Sequence, residues 1–145
     1  MTTINVYLTF DGDCKKAFDF YKSAFGGDFS YVGRFSEMPD QEGMPPVSEQ
    51  DKDKIMHISL PISKETTLMG SDTGGEWAKG FMKGNNFSVS VNTDKKAEAD
   101  RLFKELSAGG RQMMPMEKTF WGSYFGMLTD KFGVSWMISF DEGQQ

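Results

Sequence analysis

The 145-residue chain has few of the side chains that usually carry catalysis, with one histidine, His57, and one cysteine, Cys14. A single cysteine closes no internal disulfide and builds no thiolate metal site by itself. Cys14 falls among the apolar positions of a helical pattern with no base near it in sequence, so it is expected to be a buried packing residue rather than a nucleophile. Long apolar runs are also missing. No stretch approaches the roughly 20 residues that span a bilayer, and the first residues lack the basic-then-apolar layout of a signal peptide. Basic charge is outnumbered and scattered, 16 Lys and Arg against 21 Asp and Glu for a net charge of -5. That balance argues against a nucleic-acid partner, because neutralising phosphates takes clustered cations. These absences together predict a cytoplasmic protein with neither nucleic acid nor membrane as partner.

Rings and thioethers, by contrast, are plentiful. The 13 Phe and 11 Met supply a soft, ring-rich core for one domain, or for two small modules that share it. The densest aromatic stretch runs from Thr119-Phe120-Trp121-Gly122 through Ser123-Tyr124-Phe125-Gly126 to Asp130-Lys131-Phe132-Gly133-Val134-Ser135-Trp136-Met137. It reads as strands around a tight turn, with Gly133 tolerating a positive φ.

Ile4 to Phe10 alternates with period two, placing Ile4, Val6, Leu8 and Phe10 on one face and Asn5, Tyr7 and Thr9 on the other. Asp11-Gly12-Asp13 then supplies a turn and an N-cap. Cys14, Ala17, Phe18, Tyr21 and Phe25 follow at helical spacing until Gly26-Gly27 ends the run. The same order returns later. A shift of 83 residues carries Ile4, Val6 and Leu8 onto Phe87, Val89 and Val91, Asp11 onto Asp94, and Gly26-Gly27 onto Gly109-Gly110. The second helix then presents Ala99, Leu102, Phe103 and Leu106 on one face. Matches in this order point to an internal duplication.

Three strand-like segments follow each Gly-Gly pair, near 28–35, 55–62 and 66–71, and again near 111–118, 123–129 and 134–140. Each half therefore reads βαβββ. The predicted fold class is α+β, with paired βαβββ modules forming a cupped mixed sheet. It is read as a single domain over 1–145, with module one at about 1–72, a linker at 73–86 and module two at about 87–141. The acidic stretch 36–54, with Pro39, Pro45 and Pro46, is read as a mobile surface loop. In the glycine-rich linker, Trp77 is either a plug against the partner half or a lid over a ligand.

In a sheet covered by one helix, the aliphatic face packs under that helix. The opposite faces here carry Asn5, Tyr7 and Thr9 in the first strand, and Asn86, Ser88 and Ser90 in its duplicate. Polar side chains there meet solvent or line a cavity, and two curved half-sheets side by side would enclose one.

The run Tyr7 to Cys14, then Ala17 to Tyr21 and Phe25-Gly26-Gly27, resembles the start of the PhnB-like branch of the vicinal oxygen chelate superfamily, the glyoxalase, bleomycin-resistance and extradiol dioxygenase group. Met69-Gly70-Ser71-Asp72, Thr119 to Gly122 and Asp130 to Met137 are similar to that branch's later signatures. The resemblance implies paired βαβββ modules, usually in a homodimer. It leaves the activity open, since the fold hosts lyases, isomerases, dioxygenases, transferases and drug binders. Some members of the branch carry names mentioning a ubiquinone methyltransferase. This sequence lacks the glycine-rich strand-to-helix turn of a nucleotide-type cofactor site, its Gly-Gly pairs sitting at helix C-termini. The superfamily's metalloenzymes place His or Glu on the first and last strand of each module. Those places fall near Asn5, Met69, Asn86 and Met137, and thioethers are poor donors for a hard divalent ion.

The sequence therefore predicts no metal and no cofactor. It predicts a small apolar or aromatic organic ligand in the cup of a homodimer. The walls would be Tyr7, His57, Met69, Trp121 and Met137, with Asn5, Ser88 and Ser90 setting orientation. His57 lies on a strand with Ser59 on its face and Met56, Ile58 and Leu60 opposite. It is either a hydrogen-bonded structural residue or the best candidate for ligand contact and acid–base work. Phe120, Trp121, Tyr124, Phe125 and Trp136 are either core or ring-stacking surface, with Trp121 the preferred pocket ring. Glu37 and Asp72 stand near strand ends, where desolvation would make either carboxylate a base. The alternatives are a metal-dependent glyoxalase-like lyase or isomerase, or dioxygenase-type enzyme, using His57 with Glu37 or Asp72, and a structural dimer with no ligand. Whether any turnover occurs stays open at this level.

Overall fold

The computed structural model describes residues 1–39, 42–43 and 46–141, except for the side chains of Glu76 and Trp77. The plug-or-lid expectation for Trp77, and Pro45 of the loop, thus lie outside the described residues. The chain folds as two compact units, Met1–Met82 and Lys83–Gln145.

In the first unit the elements are β1 (Val6–Phe10), α1 (Cys14–Phe25), β2 (Tyr31–Arg34), β3 (Ile55–Pro61) and β4 (Thr67–Asp72). Short 3-10 turns lie at Phe35–Glu37 and Gly75–Gly80. The sheet order is β1-β4-β3-β2, parallel between β1 and β4 and antiparallel elsewhere. The second unit repeats this with β5 (Val89–Thr93), α2 (Lys96–Ser107), β6 (Arg111–Lys118), β7 (Ser123–Thr129) and β8 (Ser135–Asp141), in the order β5-β8-β7-β6. Here β5 runs parallel to β8 and the other pairs are antiparallel. Both halves are βαβββ, as the duplicated pattern predicts, and each sheet is mixed.

Each helix covers one face of its own sheet. Cys14, Ala17, Phe18 and Tyr21 of α1 are fully buried with Ile58 and Leu60 of β3, next to Leu8 and Phe10 of β1. Leu8 lies opposite Gly70 of β4, which must be glycine. A Cβ there would stand 2.6 Å from the Leu8 carbonyl oxygen and 2.7 Å from the Phe18 ring. In the second unit Ala99, Leu102, Phe103 and Leu106 of α2 are buried with Leu128, Trp136, Ile138 and Phe140. Burying each large side chain contributes about 1.5–3 kcal/mol, so these two apolar layers, rather than helix propensity, hold the helices in place. Strand β6, almost wholly exposed, is a sheet edge and tolerates Pro115 within the register irregularity between Met114 and Glu117.

The strand starts depart from the alternation. Ile4 is 93% exposed and Phe87 60% exposed, because the ladders begin only at Val6 opposite Leu68 and Val89 opposite Trp136. Helix capping departs too. Neither Asp13 before α1 nor Lys95 before α2 makes a side-chain cap, and Asp94 lies one residue further out. The buried carboxylate of Asp72, on β4, does that work for α1 instead. Its Oδ1 accepts the Gly12 and Cys14 N–H groups at 2.8 and 3.0 Å, and its Oδ2 accepts the Ile55 N–H at 2.9 Å. A buried charge is tolerated only with such partners. Gly26 and Gly27 take positive φ after α1, and Gly109 after α2.

The described part of 36–54 is anchored to the sheet at its ends. Phe35 and Ser36 donate N–H bonds to the carbonyls of Lys54 and Lys52, and Asp51 accepts the Gly75 N–H at 3.1 Å. Lys54 pairs with Asp51 and Asp11 at 2.9 and 3.3 Å.

Candidate functional site: the helix-free sheet faces

Register alone places a row of side chains across the uncovered face of the first sheet. Tyr31 on β2 stands opposite Ser59 on β3, Ser59 opposite Met69 on β4, and Met69 opposite Tyr7 on β1. His57, two residues from Ser59 along β3, shares this face. Its ring lies 5.7 Å from that of Tyr7, near-parallel at 29°, and 5.7 Å from that of Tyr31, tilted at 46°. Both imidazole nitrogens are engaged. Nδ1 shares a hydrogen bond with Tyr7 Oη at 3.3 Å, and Nε2 one with Ser59 Oγ at 2.9 Å. Ser59 is buried, while Tyr7 and Tyr31 are each 48% exposed, so the histidine sits in a half-open slot whose rims are phenols. Gly33, opposite His57, makes room for this. Any Cβ there would lie 2.6 Å from Tyr31 Oη, so only glycine lets that ring fold back along its own strand toward the imidazole.

The second unit places sulfur where the first has Tyr31 and Ser59, and a serine where it has Tyr7. Ser90 on β5 stands opposite Met137 on β8, Met137 opposite Met127 on β7, and Met127 opposite Met114 on β6. Met69 and Met137 occupy matching positions, each across a parallel ladder from the duplicated pair Tyr7 and Ser90. Phe125 belongs to the same face, opposite Ser139. Trp121, 60% exposed, sets its indole edge-on to Phe125 at 6.2 Å and to the almost fully exposed Phe120 at 4.9 Å.

Of the residues expected to form the site, Tyr7, His57 and Met69 come together on the first face. Met137 and Ser90 lie on the second, with Trp121 beside it. Asn5 precedes β1 and accepts the Thr67 N–H on Oδ1 at 3.3 Å. Ser88, half-buried, and exposed Asn86 lie ahead of β5. Trp136 takes the core alternative, and Tyr124 is half-buried away from the uncovered face. Tyr124 turns to the helix side and donates to Asp100 Oδ1 at 2.5 Å. That bond, with burial and the aspartate charge, pushes its phenol up to about 12. The buried Trp136 indole donates to Asp130 Oδ2 at 2.9 Å, and Asp130 Oδ1 accepts the Phe132 and Val134 N–H groups, fixing the β7–β8 turn. Cys14 is fully buried, and burial, aided by the Asp72 charge, pushes its thiol far above the ordinary range, which removes it as a nucleophile. Sequence reasoning did not find Tyr31, Gly33, Met127 or Met114. The alternation of Tyr31 with Gly33 was visible, but not their pairing with β3 across a 20-residue gap.

The donors do not suit a hard divalent ion. Among the described residues no three of His, Cys, Asp and Glu gather in metal-binding range. His57 spends both nitrogens on hydroxyls, Asp72 spends its carboxylate on three backbone N–H groups, and Glu37 is exposed on a 3-10 turn. Methionine stands at the two equivalent strand positions. Among the described residues no helix is long and apolar enough to cross a membrane.

Comparison with known proteins bears on this arrangement. The family model described as 3-demethylubiquinone-9 3-methyltransferase matches residues 2–139. Protein YjdN of Escherichia coli K12 is 31% identical over 141 residues, covering 94% of this chain and 93% of its own. The crystal structure of protein PA1353 from Pseudomonas aeruginosa is 37% identical, with a TM-score of 0.81 and coverage of 97% and 98%. A glyoxalase/bleomycin resistance protein/dioxygenase family enzyme from Burkholderia phytofirmans shares the fold at 16% identity and a TM-score of 0.56, over 95% of each chain.

Proposed function

The chain belongs to the 3-demethylubiquinone-9 3-methyltransferase family, on the glyoxalase/bleomycin resistance fold, and we propose that it binds a small apolar or aromatic organic molecule, without a metal ion, on its helix-free sheet faces. Tyr7, His57 and Met69 form the wall on the first sheet, and Met137 with Trp121 the wall on the second. Asn5, ahead of β1, orients a ligand on the first face, and Ser88 and Ser90 do so on the second. The reading rests on one observation above all. The only imidazole is stacked on the half-exposed Tyr7 phenol and flanked at a tilt by the half-exposed Tyr31 phenol, Met69 lies on the same face opposite Tyr7 and Ser59, and the imidazole nitrogens are turned to hydroxyls. Flat rings and polarizable sulfur favour a planar guest through burial and offset stacking.

Methyl transfer, the activity in the family's name, draws no support from these residues. The N–H groups at the start of α1, where an anionic cofactor would be cradled, are taken by the Asp72 carboxylate. We also read the protein as a cytoplasmic homodimer. Phe120 and Phe87 are 98% and 60% exposed, and a second copy would shield them; light scattering in solution tests the dimer.

The binding reading is tested by thermal-shift screening against matched aromatic and aliphatic small molecules, with elemental analysis of protein purified without chelator. Stabilisation confined to aromatic or apolar members is expected. Stoichiometric zinc, nickel, manganese or iron, held through dialysis, would overturn the metal-free reading in favour of a glyoxalase-like metalloenzyme.

A further inference from the structure

Resting on that binding reading, we infer that Tyr7, His57 and Ser59 form a hydrogen-bonded proton relay, and that the ligand is a planar molecule carrying an acidic hydroxyl, a phenol or an enol, whose proton the relay takes up and returns.

Four polar atoms, two oxygens and two nitrogens, form a hydrogen-bonded chain. Tyr7 Oη reaches His57 Nδ1 at 3.3 Å, and His57 Nε2 reaches Ser59 Oγ at 2.9 Å. The inner end is buried at Ser59 and the outer end, Tyr7, is half exposed, so the chain opens to a ligand only through the phenol. A neutral imidazole has one N–H donor and one acceptor nitrogen, whereas a hydroxyl does both. The array therefore has two arrangements of equal proton count. With Nε2–H donating to Ser59, the Tyr7 hydroxyl donates to Nδ1 and its oxygen is left to accept a proton from a ligand. With Nδ1–H donating to Tyr7, the Tyr7 hydroxyl is left to donate outward. An oxygen that changes between hydroxyl and oxyanion, or between enol and ketone, finds its complement in one or the other arrangement. An ether oxygen matches only the second.

The transfer itself balances. The ligand O–H bond breaks and its proton moves to Tyr7 Oη, while the Tyr7 proton moves to His57 Nδ1. The products are a ligand oxyanion, a neutral tyrosine and an imidazolium whose Nε2–H still donates to Ser59. No other bond changes. Among the described residues the groups in contact with the imidazole are Tyr7 from β1, Tyr31 from β2 and Ser59 from β3, with no carboxylate or cation in hydrogen-bond contact with its nitrogens. The Tyr7 and Tyr31 rings beside it, each 48% exposed, offer flat apolar surface to a planar guest.

The test uses 4-nitrophenol, whose visible absorbance reports ionisation, and 4-nitroanisole, its methyl ether with no proton to give. Intact protein should bind both, preferring the phenol by about tenfold, the worth of one charge-assisted hydrogen bond. Bound nitrophenol should ionise at a lower pH than it does free. Y7F, which keeps the ring of a half-exposed residue and removes only its oxygen, and H57Q should each cut the phenol-over-anisole preference to about twofold and abolish the ionisation shift, with melting temperature held. An unshifted phenol spectrum, or an unchanged preference in Y7F, would overturn the relay while leaving the binding reading intact. Failure of both probes to bind would overturn both.

Discussion

The two sheets share one topology and one register, yet each is anchored by a different aspartate. In the first, Asp72 stands on the last strand and reaches out to the β1–α1 turn, the start of α1 and the start of β3, tying together segments 58–60 residues away and 17 residues away. In the second, Asp130 stays in the β7–β8 hairpin, where it holds that turn and the Trp136 indole. The uncovered faces diverge further, to phenols around an imidazole in one half and thioethers in the other. A duplicated scaffold thus keeps its helix-facing layer while the free layer and the anchors change.

The largest effect should come from the anchors. Asp72→Ala strands three backbone N–H groups from distant segments and should cost roughly 3–5 kcal/mol, against roughly 2–3 kcal/mol for Asp130→Ala, whose turn keeps its backbone bonds. Urea titrations of both variants measure this. Equal losses would mean that the long-range carboxylate does no more than the local one.

Next come the glycines under the helices. Gly70→Ala pushes a methyl against a backbone oxygen at 2.6 Å and should cost about 1–3 kcal/mol. Gly126→Ala meets the flexible Met116 sulfur at 2.6 Å, with the Phe103 ring at 2.9 Å, and should cost less, because the thioether can swing away. Melting temperatures that reverse this order would show the second sheet to be the tighter one.

Trp121→Ala removes a largely exposed ring and should change stability by no more than about 0.5 kcal/mol. It should nonetheless weaken binding of an aromatic probe severalfold. Equal losses of stability and binding would return the indole to the core.

The smallest effect is a pH response confined to the second unit. The Tyr124 phenol, raised from 10.0 to about 12 chiefly by its hydrogen bond to Asp100, is favoured in its neutral form when folded. Its contribution is therefore complete below pH 10 and fades as pH climbs toward 12. Chemical denaturation from pH 9 to 11.5 should show a decline that Tyr124→Phe flattens.

Much of the scaffold was legible in the residues. The 83-residue shift that aligned Val6 with Val89 also carries the observed strand Val6–Phe10 onto Val89–Thr93. Periodicity and Gly-Gly stops found both helices because those signals are local. What stayed hidden was non-local. Alternation counted Ile4 and Phe87 as strand because it cannot know that the neighbouring ladder begins at Leu68 or Trp136. Asp13 was the natural cap by position, and only the fold brings Asp72 to the same N–H groups. The Tyr7–His57 contact joins residues 50 apart across an intervening strand. Alternation put both side chains on the uncovered face, but the partner order that makes them neighbours is written in no single stretch of sequence.

Cys14 has a practical consequence. It is the chain's only thiol, wholly sealed beneath α1 and held in its protonated form. Alkylating reagents should therefore pass over the native molecule and mark it only when the first unit comes apart. The speed of that marking would clock how often one half opens, with no label added, while the other half stays silent.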